Sequence, residues 1–264
     1  MIGLDPNNKI SLALTHFNRF SFLLECVEHI LHDPRIGEIV ISDDASTDRS
    51  YEKLVDHFSE FPKVRIFRNC KNMDCYRNKA QAVKLATHEW VILFDSDNII
   101  YPAYLDALYA LPQWNTSVAY CPDFAEPSFD YSMFAGVEVH AGNISAFMGK
   151  ESNRVPFDRA SVRRRGQPRL ILSPLHSRFR TALNTCNYFV HREEYLEVWD
   201  GSVDPHTADS IYQNLNWLKS GRRLMIVKGL RYFHRVHQDS HYKNNWKKTG
   251  NFHKEVETQL MAMR

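Results

Sequence analysis

Two aspartates separated by one residue, Asp95 and Asp97, close the apolar run 90–94 (WVILF). Along a strand, residues two apart project to the same side, so these carboxylates form a pair while Ser96 points away. Two carboxylates held close at the end of a buried strand are costly unless something cationic sits between them. A hard divalent ion, Mn2+ or Mg2+, meets that need and keeps positions open for phosphate oxygens. The same residues also suit a solvated turn, because Asp-x-Asp is a short pattern. Asp43 and Asp44 end a second apolar run, 38–42 (EIVIS), where a carboxylate suits hydrogen bonds from a uracil or guanine imide. Thr15 and Asn18, at the end of the run 10–15 (ISLALT), are placed to contact the same base and its ribose. Alone, an Asp beside Ser-Thr reads as a helix cap. Three such strand ends in order read as one crevice.

The elements that position these residues alternate. Strand-like runs at 10–15, 38–42, 64–67 and 90–94 are separated by helical stripes. The first stripe is Phe20, Leu23, Leu24, Val27, Ile30 and Leu31, ending near Asp33-Pro34. The second is Tyr51, Leu54, Val55 and Phe58, preceded by the capping types Ser46, Thr47 and Asp48. The third runs over 77–87 with Ala80, Val83, Leu85 and Ala86. That alternation predicts an α/β fold with a parallel sheet, right-handed crossovers and helices on both faces. Ligands of such sheets bind outside the carboxyl ends of the strands, where all three polar loops fall. Beyond Pro122, up to about Pro174, helical periodicity is lost, and Arg159, Arg163, Arg164, Arg165 and Arg169 cluster there, read as a solvated loop face. Order returns at 184–190 and in the helix-like HREEYLEVW. A helix then spans 209–219 with Gly221 as its stop, followed by a short strand over 224–227.

The order Ser11-Leu-Ala-Leu-Thr15-His-Phe-Asn18-Arg19, then Ile41-Ser-Asp43-Asp44-Ala-Ser46-Thr47-Asp48, then Arg77-Asn78 opening a helix, then Phe94-Asp95-Ser96-Asp97, resembles the nucleotide-sugar half of glycosyltransferase family 2 enzymes of GT-A fold. The resemblance covers about residues 9–110 and extends more weakly to about 242. It implies one GT-A domain over 1–264: a mostly parallel central sheet flanked by helices, with a nucleotide-sugar half (about 9–115), a less regular acceptor half (about 116–242) and a tail (243–264). By that resemblance Thr15, with the backbone of Phe17, holds the nucleoside together with Asp44 and Asp43, and Asn18 and Arg19 belong to the same donor loop. Arg77 faces the diphosphate or donor sugar. Asp95 and Asp97 form the metal motif, with Asp97 the more direct ligand, and Ser96 between them is one of the nucleotide-sugar-binding residues. The family's Pro before Thr15 is Leu14 here, and the glycine common before Arg-Asn is missing from Asn72-Met73-Asp74-Cys75-Tyr76, so loop shape differs while every charge is kept. The family's base is a Glu-Asp pair opening a late helix. Here Asp209 matches the Asp, Ala208 has replaced the Glu, and Asp204 is the alternative if the register slips. Of the imidazoles in 232–242, His237 and then His234 are candidates to reach back to the metal or diphosphate. Asn184, Thr185 and Asn187 would lie beside donor sugar and acceptor.

The resemblance implies a metal-dependent inverting transfer from a UDP, GDP or dTDP sugar to a glycan, lipid-linked or protein-linked hydroxyl. One base and one Lewis acid suffice for that, with no protein nucleophile. A nucleotidyltransferase would want a Gly-rich phosphate loop with lysine after the first strand, which THFNRF lacks. A glycoside hydrolase would have no use for the second loop or a metal pair. A non-catalytic sugar-nucleotide or glycan-binding module draws support from Ala208. The 264 residues carry 33 Lys plus Arg against 31 Asp plus Glu, a net +2 that gives no reason to expect nucleic acid as a partner. No apolar run reaches the roughly 18–20 residues of a membrane span. The start lacks a signal peptide's regions and the five cysteines form no metal-type pair, so a reduced cytoplasmic protein is expected. Lys243, Lys247 and Lys248 precede Phe252, Val256 and Leu260 at four-residue spacing. Such a helix is compatible with a membrane surface, and is expected to dock on the chain's own core or on a second copy as a homodimer.

Overall fold

The computed structural model describes residues 8–127, 129–149, 182–183, 187–236 and 241–263. Four parallel strands build the N-terminal half: β1 (Ile10–His16), β2 (Ile36–Asp43), β3 (Val64–Arg68) and β4 (Trp90–Asp95). They are linked by α1 (Phe20–Val27), α2 (Ser50–His57) and α3 (Asp74–Leu85). After β4 come β5 (Ile99–Ile100), α4 (Pro102–Tyr109), β6 (Val118–Glu126), β7 (Phe129–Asp130), β8 (Glu138–Val139) and α5 (Ala141–Gly149). The chain continues through β9 (Tyr188–His191), α6 (Arg192–Val198), α7 (Asp209–Lys219), β10 (Arg223–Phe233) and α8 (His241–Ala262). One sheet holds all ten strands in the order β3-β2-β1-β4-β9-β6-β10-β5, with β7 beside β6 and β8 beside β10. Its long ladders are parallel, and β9 enters antiparallel between β4 and β6.

β1 is central because it has almost nothing polar to expose: Ile10, Leu12, Ala13 and Leu14 are fully buried, and helices cover both faces. Its register places Thr15 opposite Ser42 on one side and Asp95 on the other, so three strand ends lie level. The helical stripe at 20–31 is regular only to Val27 and continues as turns that still bury Ile30. α3 begins three residues earlier than the apolar spacing indicates. The N-cap of α2 is Arg49, in the left-handed conformation, while Asp48 before it accepts from the Ser50 amide at 2.9 Å; Ser46 and Thr47 are engaged elsewhere. The expected irregular stretch after Pro122 instead continues β6, with Pro122 opposite Val227 and a parallel partner in β10. A proline and an aspartate inside a strand hid it from a periodicity reading. β10 likewise extends well beyond the expected 224–227.

α7 has the expected bounds, and Gly221 sits at φ +82°, the left-handed conformation that ends a helix at low cost. The tail helix α8 docks on the chain's own core. Val256 and Leu260 are buried and the Phe252 ring lies 5.4 Å from Tyr212 of α7. α8 also packs on the short 3-10 turn His206–Ala208 that leads into α7. No helix among the described residues is long and apolar enough to cross a membrane.

At the opposite edge of the sheet, buried Glu38 accepts from Ser11 Oγ (2.6 Å), the Thr87 amide (2.5 Å), Thr87 Oγ1 (2.9 Å) and Arg65 Nη1 (2.6 Å). Burial disfavours its charge, but these donors outweigh burial and hold its pKa at about 2. Because the folded value lies below the unfolded one, this stabilisation is full above about pH 4.5 and disappears as pH falls towards 2. Glu38→Gln should therefore cost on the order of 3 kcal/mol at pH 7 and much less near pH 2, read from urea melts across that range.

Candidate active site

The first two loops are stitched together. Asn18, at φ 54°, donates its amide N–H to Ser46 Oγ (2.9 Å), and its side chain both accepts from the Thr47 amide (2.8 Å) and donates to Thr47 Oγ1 (3.2 Å). Asp43 is fully buried and accepts from the amide and hydroxyl of Ser46 at 3.0 and 2.5 Å. His16 lies beneath, with Nε2 3.9 Å from Asp43 and its pKa lowered to about 4, burial outweighing the attraction of Asp43 and Asp48. Asp44 Oδ1 accepts from Asn69 Nδ2 (3.0 Å) and the Met73 amide (2.9 Å). Burial nevertheless raises the Asp44 pKa. Phe17 is exposed at the rim and Thr15 is half-buried.

The third loop meets the first through Arg19, whose Nη1 lies 2.5 Å from Asp97 Oδ2. Asp95 faces a different cation. Lys79 Nζ is 3.1 Å from Asp95 Oδ1 and 2.6 Å from Asp209 Oδ2, so one ammonium joins the end of β4 to the start of α7. Burial raises the Asp95 pKa; Lys79 opposes that shift, and Asp97 and Asp209 add to it by repulsion. Cys26 is pushed well above the usual thiol range, by burial first and then by Asp97 and Asp95. Excess negative charge is thus concentrated on hard oxygen donors, at side chains about 31% (Asp95) and 19% (Asp97) exposed. Those donors fit a Mg2+- or Mn2+-type ion that takes a few carboxylates and shares its remaining positions with water or phosphate. Among the described residues, no group of three or more His, Cys, Asp or Glu is placed to hold a metal.

Comparison with known proteins bears on this geometry. Residues 11–140 match the model described as Glycosyl transferase family 2. Over these residues, just under half of the chain, the sequence is similar to the family 2 glycosyltransferases. A glycosyltransferase of Streptococcus pneumoniae serotype 4, GlyG, is 31% identical over 101 residues, 38% of this chain and 34% of that protein. Chondroitin synthase of Escherichia coli is 30% identical over 94 residues, 35% of this chain and 14% of that protein. The matched region spans about a third or less of each of these curated relatives. Among solved structures, residues 1–349 of TarS from S. aureus in complex with UDP-GlcNAc superpose with a TM-score of 0.67 at 14% identity, over 97% of this chain and 67% of that one. Mannosyltransferase PcManGT from Pyrobaculum calidifontis, in complex with GDP-Man and Mn2+, gives 0.58 at 15% identity, over 96% and 64%. At such identities the likeness establishes the fold alone, which is GT-A.

Around the three loops, other residues take places that the sequence did not show. Asn187, at φ 74° and buried, accepts from the Asp95 amide through Oδ1 (2.7 Å), while its carbonyl accepts from Tyr104 Oη (2.6 Å). It fixes the backbone at the end of β4. From the segment 232–236, Arg235 reaches the loop after β4. Its amide donates to Asn98 Oδ1 (3.1 Å), its Nε to the Asp97 carbonyl (2.9 Å), and its guanidinium lies 4.4 Å from the Phe22 ring centre and pairs with Glu25. The His234 ring packs against Phe129 at 5.1 Å and Tyr232 at 6.2 Å. Among the described residues Arg77 donates to the Gly201 carbonyl at 3.5 Å, and Ser96 is buried. Asp204 pairs with His206 at 3.3 Å, apart from the Lys79 cluster. His237, Asn184, Thr185 and the arginines at 159–169 lie outside the described residues.

Lys79 was the main omission. It follows Arg77-Asn78 on the face that carries Tyr76, Ala80 and Val83, and a lysine on a buried stripe signals a buried charge partner. Asn78 beside it is structural: it accepts from Ser42 Oγ (2.7 Å) and Asn69 (3.0 Å) and donates to the Ser42 carbonyl (3.0 Å).

Proposed function

We propose that the protein is a metal-dependent inverting glycosyltransferase that moves a sugar from a nucleoside-diphosphate donor to an acceptor hydroxyl in glycan or polysaccharide synthesis. The observation that carries this reading is the meeting of Asp95 and Asp209 at one ammonium nitrogen, which brings a metal-type carboxylate and a base-type carboxylate from distant segments into one site. The nucleoside lies over the Thr15–Phe17 and Asp43–Asp44 loops, with Asp44 towards the base. Asp95 and Asp97 would hold a divalent cation, which when bound would stabilise negative charge on the departing diphosphate. Asp209 takes the proton of the acceptor hydroxyl as that oxygen bonds to the anomeric carbon from the side opposite the diphosphate. The bond to the phosphate oxygen breaks, and the nucleotide leaves with the electron pair. Inversion follows because no second carboxylate is called on as a nucleophile.

UDP-GlcNAc and GDP-Man in the two structural neighbours support UDP and GDP as first donor candidates, with dTDP beside them. The buried free thiols Cys26 and Cys121 support a reducing, cytoplasmic place of action. A thermal-shift screen of UDP, GDP and dTDP sugars with and without Mn2+ tests the reading. One nucleotide class should raise the melting temperature, and more so with Mn2+. Nucleotide release on adding acceptor then separates an enzyme from a binding module, since a module stabilised by the donor would release none.

A further inference from the structure

The protein brings its own cation to the place where the proposed reaction needs one. Lys79 is 5% exposed and lies between Asp95 Oδ1 and Asp209 Oδ2, at 3.1 and 2.6 Å. It is fixed there by α3, whose buried face it shares with Tyr76 and Val83. Tyr76 in turn donates to Gln213 Oε1 of α7 at 3.1 Å, so α3 and α7 are tied at a second point one turn away. The lysine therefore cannot drift far from α7, whereas Asp95 stands on the loop edge and is held by its backbone through Asn187.

We propose that Lys79 is a positioning residue and the resident counter-ion of the unloaded site: it neutralises Asp95 and Asp209 together, competes with a divalent ion for Asp95, and stays on Asp209 when that ion is taken up with the donor. This rests on the metal-dependent reading above. Its consequence is order. A metal ion alone meets a site already satisfied by the ammonium, whereas metal arriving with a diphosphate brings extra ligands and displaces the lysine from Asp95. With its second carboxylate gone, Lys79 holds one oxygen of Asp209 and leaves the other for the acceptor hydroxyl.

The test measures Mn2+ binding without nucleotide, by calorimetry and by the paramagnetic resonance of free Mn2+, in the wild type, Lys79→Met and Lys79→Arg. An opposite charge at this range changes a carboxylate's affinity for a competing cation, the proton, by a factor of about ten or more; with that rival ammonium removed, Lys79→Met should bind Mn2+ about tenfold more tightly. Lys79→Arg, which keeps the charge, should stay near the wild type, a split that a packing role would not give. If Lys79→Met does not fold, Lys79→Gln carries the same expectation. Wild-type protein that takes up Mn2+ with UDP, together with an unchanged or weakened Mn2+ affinity in the neutral variants, overturns the role of Lys79 alone. Wild-type protein that takes up no Mn2+, with or without UDP, overturns the metal reading and the lysine's role with it.

Discussion

Asp209→Asn should lower sugar transfer by roughly 10²–10⁴-fold, the range supplied by a positioned general base, while leaving nucleotide binding with Mn2+ unchanged. Asparagine keeps the shape and one acceptor oxygen towards Lys79, so the 2.6 Å contact survives in weaker form and the fold with it. What is lost is the capacity to take a proton. The proposed role rests on its position: Asp209 is the first residue of α7, buried, and joined through Lys79 to the end of β4. Asp204 provides the control. It is bound up with His206 on the turn before the helix, and Asp204→Asn should leave turnover close to wild type. Steady-state transfer assays on both variants decide the assignment. Full activity in Asp209→Asn with loss in Asp204→Asn would move the base to the earlier residue.

The second large effect falls on binding. Asp97→Ala removes one of the two oxygen donors at the end of β4 and leaves Arg19 without that carboxylate. Altering an outer-shell group typically costs 10–100-fold in metal affinity, so losing a direct ligand should weaken Mn2+-dependent nucleotide binding by more than about 100-fold. Binding measured in EDTA should change little, or improve, because Arg19 is then released to meet phosphate. Calorimetric titration with UDP or GDP in both conditions separates the two contributions. An affinity in Mn2+ unmoved by Asp97→Ala would remove this residue from the metal site.

Much of the donor-side geometry was readable from residue order because its parts obey strong local rules. β1, β2 and β4 are short runs of apolar residues closed by polar loops, and parallel pairing forces those loops to one edge. α7 announced its bounds through an apolar stripe and a terminal glycine. The acceptor half was harder for equally physical reasons. β6 carries Pro122 and Asp123 in its middle, and β9 inserts antiparallel after a long excursion of the chain, an arrangement that no local pattern encodes. Side chains whose partners lie far along the sequence were the least visible. Lys79 meets Asp209 across 130 positions and Arg235 meets Asp97 across 138. Asn18 and Asp43 show the reverse: their types were noted correctly, but much of their bonding capacity holds loops in shape.

The tail helix has a bearing on how the protein can be handled. It presses on the turn that aims Asp209, and its buried contacts, Val256 and Leu260, fall within the last ten residues. Shortened versions that stop before this stretch would lose the buttress behind the proton acceptor without touching any group that meets substrate. Residues 252–260 thus support the proposed base mechanically, although they contribute no chemistry of their own.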